Sequence, residues 1–290
     1  MEIGVFNKDI IIKNPSDFSL KHVFDCGQCF RFWETGENEY TGVAGGKAIT
    51  VKDTGDSLVF YDTSKKDFDE FWHNYFDLNV DYTAIKQSLS GDKCMDSAMA
   101  EGYGIRILRQ ELFETIISFI ISQSNNIPRI KKIIESLCAL CGEEILYRGK
   151  TYYSFPTPED ILSSDISSIK AGFRDKYIIS AARHIVDNPD FLDDLRKADT
   201  TTAKKMLMSM QGIGNKVSDC ILLFGLGKTD SFPVDVWMRR IMEQLYFERK
   251  SSVEEITDYA RDKFGEFSGY AQQYLFYYAL NHKLEFKEDK

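Results

Sequence analysis

The sequence predicts an α+β fold: an N-terminal antiparallel β lobe with flanking helices over residues 1–104, then a larger all-helical lobe over 105–290. Three observations carry this. Residues 1 to about 65 hold short apolar or alternating runs separated by turn residues. From Asp67 the apolar spacing becomes helical, and after Gly102-Tyr103-Gly104 helices dominate to the end. Apolar positions at helical spacing also flank a glycine turn at Gly212 and Gly214, with Met206 and Met210 before it and Val217, Ile221, Leu222 and Phe224 after it. That is a helix, a hairpin and a second helix.

Taken in order, the strand candidates are Asp9–Ile12, Cys29–Trp33, Tyr40–Val43, Lys47–Val51 and Ser57–Tyr61, an antiparallel and curved set. Gly27, at the entrance to the second run, is either a bulge or turn glycine or a point where a ligand meets bare backbone. Phe68–Asp77 and Tyr82–Leu89 fit helices. Glu111–Ser122 is almost continuously apolar and reads as a core helix. The polar, asparagine-rich stretch from Ser122 to Arg129 follows it, the kind of loop on which functional groups are displayed. A further helix starts near Pro158. Ala171-Gly172-Phe173-Arg174-Asp175-Lys176 is either a phosphate-touching loop with an aromatic wedge or a glycine-capped helix end followed by solvated charges. Val253–Phe264 and Tyr270–Asn281 are helices, and Gln272 and Phe276, four apart, share a face of the latter.

A net charge of −9 argues against indiscriminate polyanion binding through a basic surface. A few backbone amides and locally placed Arg and Lys could still hold phosphates. No apolar run approaches a membrane span and the N-terminal residues lack a secretory pattern, so an intracellular protein, in cytoplasm or nucleoid if prokaryotic, is expected. Its six cysteines should then be reduced. The pairs Cys26/Cys29 and Cys138/Cys141 raise zinc, but they lie far apart in sequence and the second pair ends an amphipathic helix, where packing suits it better. No metal site is expected, and the four closely spaced cysteines of an iron–sulfur cluster are absent after the hairpin.

The hairpin offers chemistry of its own. A turn opening into a helix leaves backbone N–H groups pointing outward, and the helix dipole helps them hold an anion. Lys216 stands in the first turn of the second helix, where the dipole disfavours an ammonium, and a neutral lysine is a nucleophile. Asp235, after Pro233-Val234, reads as the N-cap of the next helix, facing Lys216 across the connecting loop. Each feature alone is common in proteins without catalytic function.

Together they resemble the helix-hairpin-helix, Gly-Pro-Asp superfamily of DNA base-excision glycosylases. Five further segments resemble its 8-oxoguanine DNA glycosylase/lyase branch: Gly27–Phe32, Ser118–Phe119 through Asn126–Arg129, Gly172–Arg174, Gly214–Cys220 and Gly269–Phe276. The match runs in order across nearly the whole chain.

The resemblance implies an active site between the lobes, with Lys216 as the amine that attacks the deoxyribose C1′ and Asp235 as the carboxylate supporting an oxocarbenium-like transition state. It further implies that Cys220 and Phe276 stack on the flipped base, Gln272 reads its Watson–Crick edge, Pro233 helps wall the pocket, and the Gly27 carbonyl accepts the N7 hydrogen that marks the oxidised base. The amides of Gly212, Gly214 and Val217 would grip a phosphate, with a cation on the hairpin carbonyls as an option and no cofactor needed for the chemistry. Asn126, Arg129, Phe173, Arg174 and Trp237 would lie at the DNA. The implied partner is double-stranded DNA containing oxidised guanine, bound by a monomer, with no membrane involved.

The chain departs from the pattern in three places. It has Ser124-Asn125-Asn126 where three asparagines are usual, Phe173 for a wedge tyrosine and Trp237 for a histidine. Loss of the first asparagine points to a relaxed preference for the base opposite the lesion. The competing expectations are a superfamily glycosylase for other damage and a non-catalytic DNA grip; the latter needs neither Lys216 nor Asp235.

Overall fold

Val, Ile and aromatic side chains in the first sixty residues recur at every second position, and that period turns one face of each strand toward a shared core. The computed structural model describes residues 2–282. Among the described residues, six strands form one antiparallel sheet: β1 (Glu2–Phe6), β2 (Asp9–Lys13), β3 (Phe32–Gly36), β4 (Glu39–Ala44), β5 (Lys47–Asp53) and β6 (Ser57–Tyr61), in the spatial order β1-β2-β6-β5-β4-β3. The register aligns Ile10 with Phe60, Phe60 with Val51 and Val51 with Tyr40, so one apolar row crosses the sheet. Phe24, Phe32, Phe68, Trp72 and Phe76 cover that row. The expected strand at Cys29–Trp33 begins three residues later, because helix α1 (Leu20–Asp25) and an irregular stretch occupy the approach.

The helical lobe comprises α2 (Tyr82–Leu89), α3 (Lys93–Glu101), α4 (Leu112–Ser122), α5 (Ile127–Cys141), α6 (Pro158–Ser163), α7 (Asp175–Asp187), α8 (Phe191–Lys197), α9 (Thr200–Ser209), α10 (Asn215–Leu226), α11 (Val236–Met242), α12 (Val253–Phe264) and α13 (Ser268–His282). The apolar run in α4 makes it the buried centre, and Phe119 stacks on Phe224 of α10 with ring centroids 5.4 Å apart. Helices α2 and α3 bury Tyr82, Ile85, Met95 and Ala98 in this helical core.

A strand pair interrupts the expected run of helices. β7 (Glu144–Tyr147) and β8 (Lys150–Tyr153) form an antiparallel hairpin about the tight turn Arg148-Gly149. The Tyr147 hydroxyl accepts from the Thr50 amide at 3.0 Å and donates to the Tyr61 carbonyl at 3.2 Å, stitching the hairpin to the sheet.

The joint between the lobes is Gln28, which is fully buried. Its Nε2 donates to the carbonyls of Val23 (2.9 Å) and Arg106 (2.8 Å), and its Oε1 accepts from the Leu108 amide (2.9 Å). Its own carbonyl accepts from Gln110 Nε2 at 2.8 Å. Replacing it by leucine would strand buried backbone groups on both sides. Gln28→Leu should therefore lower unfolding free energy by about 2–4 kcal/mol, read as a lower urea midpoint.

Candidate active site

The hairpin forms because α9 ends at Met210, whose buried side chain sits beside that of Ile213, and the intervening turn reverses the chain. Gly212 has φ +88°, and a side chain there would press into the Tyr177 ring, 2.5 Å from its first carbon. Both conformation and space require glycine. Gly214 differs: its φ is −101°, with open space around it. It is the N-cap of α10 and offers no side chain, so no side-chain cap covers the first-turn N–H groups, Val217's among them. The hairpin is thereby suited to an anion.

In the first turn of α10, Lys216 is half-buried with its Nζ 5.3 Å from the centre of the Phe119 ring. Cys220, on the next turn, is buried. Burial pushes its thiol up to about 11, opposed by the nearby charge of Lys216 and reinforced by Asp219 and Asp235. Asp235 caps α11, accepting from the Met238 amide at 2.7 Å, as its position after Pro233-Val234 predicted. Pro233 is buried in that strap, and Trp237 stands 53% exposed in the helix's first turn.

Further candidate groups lie on α13 and at the joint between the lobes. Gln272 is buried, with Nε2 3.6 Å from Met238 Sδ, and Phe276 is half-buried one turn on. Gly27 has φ +78°, and a side-chain carbon there would lie 3.6 Å from Phe276 and 3.8 Å from Ile127. These are ordinary contacts. Backbone conformation, more than crowding, demands glycine, and the position faces the Phe276 ring.

The asparagine-rich loop and the Gly172 turn also meet. Asn125 donates to the Ile121 carbonyl, and Asn126 caps α5 by accepting from the Arg129 amide at 3.0 Å. Phe173 protrudes, 54% exposed, with the Arg174 guanidinium 4.3 Å from its ring centre and Tyr177 edge-on at 6.2 Å. Arg174 was expected as a DNA-facing group, and the structure places it otherwise. It is 3% exposed and donates to the carbonyls of Gln123, Ser124 and Ala171, the last two at 3.0 Å. Desolvation and the charge of Arg129 lower its pKa. Arg129 itself is exposed beside it.

Residues missed by sequence reasoning are the supports. Tyr177 joins the Phe173 turn to Gly212, and its signal was an aromatic four residues after Phe173. Phe119 lies beneath Lys216. Lys204 on α9 pairs with Asp219 on α10 at 2.7 Å. Among the described residues, no group of three or more His, Cys, Asp or Glu is placed to hold a metal, and all six cysteines are free thiols.

Two family models tile this architecture. Residues 10–116 match the N-terminal domain of 8-oxoguanine DNA glycosylase, and 117–266 match the HhH-GPD superfamily of base-excision DNA repair proteins. The chain belongs to the 8-oxoguanine DNA glycosylase family. It is an enzyme of base-excision repair, a DNA N-glycosylase/lyase by membership. A probable N-glycosylase/DNA lyase of Methanothermobacter thermautotrophicus is 32% identical over 243 residues, spanning 76% of this chain and 77% of the relative. The 8-oxoguanine glycosylase/lyase of Clostridium acetobutylicum, solved with double-stranded DNA carrying cytosine opposite 8-oxoG, superposes with a TM-score of 0.95 at 38% identity over 98% of this chain and 99% of that one. The protein called MBOgg1, solved with a low affinity DNA ligand, is 44% identical with the same TM-score over 97% and 99%.

Burial raises the pKa of Asp219, against the pull of Lys204. A carboxyl whose folded pKa is raised contributes stability at low pH that is lost as pH climbs through that value. Without Lys204 the rise is larger. Lys204→Met should therefore be close to wild type in stability near pH 4 and progressively less stable toward pH 8, measured by thermal melts across that range.

Proposed function

We propose that this family member excises 8-oxoguanine from duplex DNA and then cleaves the strand, using Lys216 for both steps. The observation that carries the reading is Lys216 in the first turn of α10, its Nζ 5.3 Å from the centre of the Phe119 ring, one turn before the buried Cys220 and beside an uncapped helix start, with Asp235 capping the next helix.

The target base must leave the helix to reach that site. The amides of Gly212, Gly214 and Val217 hold a phosphate near the lesion, while Phe173 enters the gap and Asn126 and Arg129 lie on the side of the orphaned base. Trp237, exposed at the start of α11, lies against the strand. Arg174 acts here as the brace of the loop rather than as a contact. Inside the pocket, Cys220 and Phe276 cover the two faces of the base, Pro233 closes an edge and Gln272 meets the Watson–Crick side. The Gly27 carbonyl accepts the N7 hydrogen of 8-oxoguanine. Guanine has a lone pair at N7, so the same carbonyl repels it.

The Lys216 nitrogen forms a bond to C1′ as the bond from C1′ to N9 breaks and its electrons leave with the base, which takes up a proton. Positive charge on the sugar builds during this exchange, and the Asp235 carboxylate stabilises it. Opening of the ring gives a Schiff base. Its iminium nitrogen withdraws electrons, C2′ loses a proton and the 3′ phosphate departs by β-elimination. No cofactor enters these steps. The hairpin carbonyls of Met210 and Gly214 each accept one backbone N–H and keep a second lone pair, which fits a hard cation that would tighten the phosphate grip. Ser124 in place of an asparagine supports a relaxed opposite-base preference. A monomer inside the cell completes the proposal. Among the described residues no helix is long and apolar enough to cross a membrane.

Borohydride trapping on duplexes with 8-oxoguanine opposite each of the four bases tests the scheme. A covalent adduct should form with all four, at rates spread over less than about tenfold, and Lys216→Gln should give none. Absence of an adduct with the wild type, or its persistence in Lys216→Gln, would sink the assignment.

In the same assay, Gly212→Val should weaken duplex binding by about tenfold or more, since it forces both backbone strain and a clash with Tyr177. Binding equal to wild type by fluorescence anisotropy would remove the hairpin from the DNA interface.

A further inference from the structure

Gln273 follows Gln272 on α13 and is itself 3% exposed. Two amides lie side by side in a buried place, and each has a donating end and an accepting end. Their orientation can be argued from what surrounds them. Met238 Sδ can only accept, and it lies 3.6 Å from one end of the Gln272 amide, so that end is Nε2. Gln272 Oε1 then points to Gln273, whose Nε2 donates to it at 2.8 Å. The cost falls on Gln273, whose Oε1 is buried with no hydrogen-bond partner among the described residues. A buried acceptor left without a partner is destabilising. An apolar residue would fit the helical core more cheaply.

We infer that Gln273 is a specificity-determining positioning residue: by donating to Gln272 Oε1 it locks the Gln272 amide in the polarity that matches a guanine-type Watson–Crick edge and rejects an adenine-type one. This rests on the reading of Gln272 as the group that meets that edge. Gln272 Oε1 keeps a second lone pair for the N1 hydrogen of a guanine-type base, and Nε2 can exchange its weak sulfur contact for the O6 acceptor. An adenine-type edge carries an acceptor at N1 and a donor at N6, so both contacts would be mismatched. Rotating the amide by half a turn would suit the adenine type instead, and the Gln273 hydrogen bond opposes that rotation. Gln273 touches neither base nor sugar; it acts through Gln272.

8-Oxoguanine and 8-oxoadenine isolate this effect, because both carry the oxidised face with an N7 hydrogen and differ on the Watson–Crick edge. The ratio of kcat/KM for duplexes containing one or the other should fall on the order of tenfold in Gln273→Met, with 8-oxoadenine gaining and 8-oxoguanine losing. In a Gln272→Ala background, the same Gln273→Met change should leave the ratio where Gln272→Ala alone puts it.

Gln273→Glu gives a second readout that packing would not mimic, and it serves if the methionine variant fails to fold. A protonated carboxyl can donate to Gln272 Oε1, whereas an ionised one can only accept. The ratio should therefore be near wild type at the acid end of the working range and fall as pH rises, with the wild-type ratio flat. If Gln272→Ala leaves the ratio unchanged, the reading of Gln272 is wrong and this inference falls with it. If Gln272→Ala collapses the ratio but Gln273→Met does not lower it, or the Gln273→Glu ratio is flat with pH, only the inference about Gln273 is overturned.

Discussion

The buried amide of Gln28 is the constraint on which both lobes depend. The segment around it alternates between two cores: Cys26 and Phe30 pack among the helices, whereas Phe24, Cys29 and Phe32 pack under the sheet. A strip with apolar side chains on both faces has no side left for its own polar groups. Gln28 resolves this by bonding to the chain at 106–108, and Arg106 continues the seam by donating to the carbonyls of Ser16, Asp17 and Asp77. Gly27 sits in this rigid seam. The role proposed for its carbonyl, sensing a single hydrogen on a base, would need such fixity, because a shift of half an ångström would blur attraction and repulsion.

A protein of net charge −9 that handles a polyanion must keep its favourable field local. On the proposed reading, the uncapped start of α10 does this with backbone dipoles, which add no net charge and cannot bind counter-ions along a broad surface. The Lys204–Asp219 pair fixes α10 against α9 from the inside, so the amides, Lys216 and Cys220 move as one body. The lysine rests against an aromatic ring instead of an acidic partner.

Much of the plan was legible in the sequence. The five sheet strands with alternating apolar residues, the buried character of α4, the hairpin and the Asp235 cap all follow from local periodicity and turn chemistry. The β7–β8 hairpin did not follow, because Tyr147 is satisfied by the distant sheet rather than by its neighbours. β1 was missed for a related reason: it is an exposed edge strand held by pairing with β2, with little alternation to betray it. At the site, residue types were legible and roles were less so. Arg174 shows why, since an arginine in a polar stretch looks solvated until the carbonyls of Gln123 and Ser124 are known to lie within its reach. The same holds for Gln273, whose partner is its own neighbour in the helix.

The bracing of the 123–126 loop by Arg174 has a kinetic consequence. A loop already held in one conformation by three hydrogen bonds from Arg174 loses little freedom on meeting DNA. Scanning along undamaged duplex then requires work only from the DNA, which must bend and unstack at each trial position. With Phe173 as the proposed wedge, such an enzyme would sample and release normal sequence quickly, as a stiff probe does, and dwell only where a weakened base step yields to the protruding ring.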